Sequence, residues 1–411
     1  MKKLHSALHL STLFAMSCTG GSTNALAPDA PPNGGFDAEP NVGFDAGSDA
    51  AALPETRVAA CTGSWRAGPG LNDPREQAAA LLLPDGRVLV AGAHHIDPPN
   101  QRDIGSSEIF DPTSEDWTPT GSFTEIRGST RGLTVLLTGG KVLTSQQESV
   151  NFKTQSTRPI PPEVYDPSIG TWSPTGWMTA FTNGPLVALP DGGALAMGGI
   201  DWLADRTRAN AQRYHADTGE WTETGPLAGP RTGHFAIAVG GGVLVVGGSR
   251  TDCCAGPMLA GAELYDPATG LFREVGPMSE PRWYPACVLL TDGRVLAAGS
   301  GVQDGRTAEI YDPVSETWTT TGSMQEPRSQ GSLTLLHDGR VLAAGGFGDQ
   351  TDLASAEVFD PSTGTWSSAG SMGGRRRLHT AVTLQSGDVL VVGGFHFVQL
   401  TSTEIFTPCG G

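Results

Sequence analysis

The chain has 411 residues, about twice the size of an ordinary domain, a length that a repeat architecture fills without a second domain. Lys and Arg number 26 against 43 Asp and Glu, and the net charge of -17 repels phosphate backbones, which excludes nucleic acid as a partner. The 56 glycines and 30 prolines exceed average usage and fall mostly at turns between short apolar runs rather than in low-complexity tracts.

Lys2 and Lys3 precede a mostly apolar run from Leu4 to Met16, followed by Ser17 and Cys18. This predicts an export signal over residues 1–18. A small residue before a cysteine resembles a bacterial lipoprotein signal, in which Cys18 is lipidated and becomes the mature N-terminus; cleavage near Ala27 is the alternative, and Pro28 argues against it. Residues 19–57 are rich in Ala, Asp, Gly and Pro, with Gly-Phe-Asp-Ala at both 35–38 and 43–46. Such a segment buries too little apolar surface to offset its chain entropy and reads as a disordered tether. Asp37, Asp45 and Asp49 lack the turn framework of a calcium loop and read as solvated charge.

From residue 58 a unit of about 50 residues recurs to residue 411. Its first fragment is a glycine turn leading into an apolar strand: Asp-Gly-Arg-Val-Leu at 85–89, 292–296 and 338–342, with variants at 139–143, 191–195, 241–244 and 386–390, seven copies in all. Asp-Gly between apolar runs signals a hairpin whose two central residues take positive φ. The second fragment places an acid or amide two residues before an aromatic, and a second aromatic follows seven residues after the first. The pairs are Phe110 with Trp117, Tyr165 with Trp172, Tyr214 with Trp221, Tyr265 with Phe272, Tyr311 with Trp318 and Phe359 with Trp366.

A glycine doublet ending strand two, an aromatic on strand three and a tryptophan on strand four resemble the Kelch repeat, over roughly residues 61–409. The resemblance implies an all-β fold, a seven-bladed β-propeller of Kelch type, with the repeated aromatics packed between blades. Unit two departs from the pattern with Ser145 for the glycine, and unit three with Tyr214-His215-Ala216 for aromatic-Asp-Pro. The last unit ends at Phe406-Thr-Pro-Cys409 without a fourth strand, and Trp65 falls in the vacant slot, so the N-terminal strand is expected to complete the last blade. Cys61 and Cys409 then map to the same point of the repeat, which predicts a disulfide between them. Cys253, Cys254 and Cys287 remain open: a vicinal bond, or one bond to Cys287.

Thirteen residues before the first Val of the strand-two motif stand Arg75, Arg282, Arg328 and Arg376. Arg231 fills the place after a one-residue deletion, Arg127 or Arg131 lies nearby in unit two, and unit three has Phe181 and Thr182. In a propeller these positions ring one mouth of the channel. Guanidinium groups there are expected to grip a polar or anionic ligand, with Trp283, Tyr284, His234 and His379 at the same level adding stacking or hydrogen bonds. The competing reading is that each arginine bonds neighbouring loop carbonyls or a local acid such as Asp73, Glu280 or Glu326.

Copper radical oxidases share this propeller, and Arg282-Trp283-Tyr284 looks like the segment carrying their modified tyrosine. Leu378 stands where their axial tyrosine should be, and no cysteine lies at the expected level in unit four. No metal site and no cofactor are expected, and no catalytic residue is assigned, since nucleophile elbows, zinc motifs and P-loops are absent. The expected role is non-catalytic: a binding or scaffold protein of the cell envelope, monomeric and held to the membrane only by a lipid anchor. Its propeller loops would face a protein, glycan or small anionic ligand. The alternatives are a carbohydrate-active hydrolase or lyase using channel-mouth carboxylates and, last, a copper radical oxidase.

Overall fold

The computed structural model divides the chain into two units, Met1–Cys61 and Thr62–Gly411. It describes residues 63–95, 102–127, 129–145, 148–151, 156–179, 183–201, 204, 206–251, 257–301 and 304–409. The expectations for the leader, the tether, Cys18, Cys61, Cys253, Cys254, Phe181 and Thr182 lie outside the described residues.

The chain folds into a seven-bladed propeller of antiparallel four-stranded sheets, with no helix among the described residues. The innermost strands are Ala79–Leu82, Thr134–Leu136, Leu186–Ala188, Phe235–Val239, Ala286–Leu289, Ser332–Leu335 and Thr380–Thr383, each touching the next and the last touching the first. In the last blade Ser64–Ala67 pairs with Thr403–Thr407, setting Trp65 opposite Phe406, so the N-terminal strand closes the ring. The other aromatic pairs are likewise cross-strand neighbours, as in Phe110 opposite Trp117 and Tyr311 opposite Trp318. Their ring centroids lie 4.8 to 5.2 Å apart.

Seven apolar clusters fill the seven gaps between blades. Phe359 and Trp366 pack on Leu296 and Ile310 of the preceding blade, and Phe406 with Trp65 on Leu342 and Val358. The Asp-Gly turns differ from expectation in one respect. Gly86, Gly293 and Gly339 take φ of 86 to 89°, but the preceding aspartates do not; only the glycine pair Gly240 and Gly241 has both central residues positive. The aspartate instead uses its carboxylate as a local acceptor, Arg87 N–H donating to Asp85 Oδ1 at 3.0 Å. The result is a tight turn closed by a left-handed glycine.

Because the strands alternate in direction, these turns lie at one end of the ring. The crossing loops and the segments between second and third strands lie at the other. Short hairpins rise from that end, among them Phe347–Gly348 with Thr351–Asp352 and Phe395–His396 with Val398–Gln399.

Candidate ligand-binding face

The arginines of the repeat do reach this end of the ring, but they are buried. Arg75, Arg282 and Arg376 are at most 1% exposed, and Arg231 and Arg328 only slightly more. Each guanidinium is held inside its own blade. In blade six Arg328 Nη1 donates to the carbonyls of Gly345 at 3.0 Å and Ser355 at 2.8 Å, and Nη2 donates to Glu357 Oε1 at 3.0 Å. The other carboxylate oxygen of Glu357 accepts from Gln325 N–H on the crossing loop at 2.7 Å. Four further arginines make the same contacts: Arg75 with Glu108, Arg231 with Glu263, Arg282 with Glu309 and Arg376 with Glu404. Arg127 pairs with Glu163 in blade two. Blade three has Gln212, whose Oε1 accepts from Thr179 N–H at 3.0 Å.

This pair clamps the crossing loop to the third strand. The expectation of a ring of ligand-gripping arginines is corrected accordingly, because the carboxylate that each guanidinium grips belongs to its own chain. The acids expected as partners, Asp73, Glu280 and Glu326, stand only second, at 3.7, 3.4 and 3.4 Å. The principal partner is the acid two residues before the strand-three aromatic. Sequence reasoning singled out that position without assigning its role.

Two residues past five of the six clamp arginines the chain turns left-handed into the innermost strand. Gln77, Gly233, Tyr284, Gln330 and Leu378 have φ of 54, 61, 51, 58 and 55°. Several of them bond across the blade boundary, Tyr284 N–H to Gly233 O at 2.7 Å, Leu378 N–H to Gln330 O at 2.9 Å and Gln77 N–H to Leu378 O at 2.9 Å. Four of the five are not glycine, and such a conformation costs an L residue about 1 kcal/mol or more. The channel mouth is thus a belt of held backbone.

Of the remaining site residues, Trp283 and Tyr284 meet in a tilted arrangement with centroids 4.9 Å apart, and Tyr284 is exposed. His234 and His379 are buried. Burial, with Arg231 nearby, pushes His234 down to about 3, and burial with Arg131 and Arg376 holds His379 well below its usual value. Both are neutral rings, and His379 Nε2 meets Ser332 Oγ at 3.0 Å.

The hairpins outside the mouth form a platform that the sequence did not disclose. Arg377 pairs with Asp352 at 3.0 Å, and its guanidinium lies 5.2 Å from the Phe347 ring centroid and 5.0 Å from that of Phe395. His396 Nδ1 meets the other Asp352 oxygen at 2.9 Å. Above this base Phe397, at φ 60°, and Val398 are 84% and 54% exposed.

The Kelch motif profile matches residues 331–373, which span blade six. With its seven blades in phase, the chain is a seven-bladed β-propeller that carries a Kelch motif in blade six. It is similar to a solved fungal alcohol oxidase of the AA5 family in complex with copper, at 17% identity and a TM-score of 0.63 over 84% of this chain and 76% of that one. That likeness shows the fold. The sequence has no match among curated proteins.

The donor set does not fit a copper site of that type. Leu378 stands where the resemblance implied an axial tyrosine, and His379 is buried against Ser332. The Cys287 thiol, pushed up to about 12 by burial, sits between blades. Among the described residues no three His, Cys, Asp or Glu side chains come together as metal ligands. No helix there is long and apolar enough to cross a membrane.

Proposed function

We propose that this propeller is a binding and scaffold protein whose loop-bearing end docks a protein partner. The observation that carries the reading is the platform of blades six and seven, where an exposed apolar tip, Phe397 and Val398, stands on a base fixed by the Asp352 pairs with Arg377 and His396. A mobile tip would lose entropy on docking, whereas a braced one has already been ordered. Single exposed apolar residues are ordinary, and Val314 at the opposite end is 92% exposed. The aromatic and cationic base is what distinguishes the Phe397 tip. Kelch propellers commonly mediate protein interactions, which agrees with a protein partner; a glycan remains the second ligand class.

We further propose that the protein is exported as a monomer, anchored through a lipid on Cys18 and held at the cell envelope. The ring is sealed by a Cys61–Cys409 disulfide. Gly63 N–H, two residues after Cys61, donates to Cys409 Sγ at 2.8 Å, which supports this pairing.

Photo-crosslinkers at position 397 and, as the control, at 314 test the docking end in native envelope. A discrete product from 397 alone is expected; equal labelling from both positions, or labelling from 314 alone, contradicts the reading.

A further inference from the structure

Blade two carries two arginines where the other clamped blades need one. Arg127 takes the clamp with Glu163, leaving Arg131 over. Arg131 N–H donates to Gln77 O at 2.9 Å, fixing its backbone in the belt at the mouth. Its Nη2 donates at 2.6 Å to the carbonyl of Gly331, 200 residues away. Gly331 leads into the innermost strand of blade six, and blades two and six are not neighbours in the ring. A side chain from one reaches the other only across the axis, so the Arg131 guanidinium lies over the channel.

It forms no ion pair with a carboxylate among the described residues, unlike the clamp arginines. Burial lowers its pKa to about 10, so the group is still a cation at pH 7 but an incompletely compensated one. Beside it the surroundings supply neutral hydrogen-bonding groups. The side-chain amides of Gln77 and Gln330, both on left-handed backbone at the mouth, make no hydrogen bond within the described protein. The Ser332 hydroxyl stands next to Gly331, and Gly132, next to Arg131, looks onto open space.

We propose that the axial mouth binds a small oxyanion, the carboxylate or phosphate group of a small molecule, gripped by Arg131 with the Gln77 and Gln330 amides as flanking donors. The site rests on the reading of this end as the binding end and names what its centre takes. With one Nη2–H spent on Gly331, Arg131 still offers Nε and Nη1, and an anion offsets the charge that the protein leaves unpaired. A cation is repelled at this position, and an apolar ligand would leave the guanidinium desolvated without a partner.

Calorimetric titration of the mature full-length protein with inorganic phosphate and, separately, with succinate tests the site and distinguishes the two sources. One of the probes is expected to bind, and Arg131→Gln to weaken it about tenfold or more, as loss of charge-assisted hydrogen bonds requires. Arg87→Gln, in an exposed pair with Asp85 at the opposite end, should bind as the parent does. Should Arg131→Gln fail to fold, Gln77→Ala with Gln330→Ala leaves the cross-axis bond in place and is expected to weaken binding several-fold. Neither probe binding the parent, or unchanged affinity in these variants, overturns the proposal. A partner crosslinked from position 397 without anion binding would sink the anion site alone; anion binding without such a partner would sink the docking reading alone.

Discussion

A guanidinium taken from water beside a carboxylate gains less than it seems, because both ions lose their hydration. Breaking such a pair is another matter, since it strands one charge in the interior. Arg328→Ala is therefore expected to destabilise the protein by about 3–5 kcal/mol by leaving Glu357 uncompensated, while Arg328→Met with Glu357→Leu costs much less. Chemical denaturation of the two variants checks this, and a single variant as stable as the parent would mean the clamp is slack.

The buried histidines give a second residue-scale expectation. His234 falls to about 3 and His379 well below 6.5 in the folded state. The unfolded chain therefore takes up more protons once the pH drops below about 6.5. Their contribution is complete above that pH and is lost as the pH falls toward 3. Thermal midpoints measured across this window should decline, and His234→Gln should flatten the slope; an unchanged slope would show that carboxylates alone set it. The clamp was only half legible in the sequence. Each arginine and each glutamate was visible, but they stand about 30 residues apart across two strands and no local rule joins them. Unit three held the clue, for it has neither the arginine nor the acid, Gln212 standing in the acid's place.

A blade is held to the next by the aromatic pair of its third and fourth strands. Phe359 is fully buried among residues of two blades, so Phe359→Ala should cost about 3–5 kcal/mol by opening a cavity. Trp318 is only partly buried at the edge of its cluster, and Trp318→Ala should cost less. A reversed order in a thermal melt would show that the fourth strands carry the packing. These elements were readable because the seven-residue spacing records a cross-strand pairing that repeats in every unit, and Trp65 opposite Phe406 followed from the same phase. The hairpins of the loop end were not readable. Phe395–His396 and Val398–Gln399 are two-residue strands, too short to show any alternation, and the left-handed Gln77, Gln330 and Leu378 carry no glycine signal.

At the scale of the whole molecule, the ring is what gives the loop end a fixed shape, and the ring depends on one strand from the opposite terminus of the chain. Deleting residues 63–70 should uncover the edge of Thr403–Thr407 and make the protein associate more than the parent does, as light scattering would report. The binding reading needs that end to be rigid, with braced hairpins outside and a single cation over the axis. It therefore needs the closure to hold. Closure is most directly tested by peptide mapping of the oxidised, mature protein by mass spectrometry. A single linked pair of terminal peptides, joined through Cys61 and Cys409 and split by reduction, is the result expected. Cys61 found free, or joined to Cys253, Cys254 or Cys287, would contradict it.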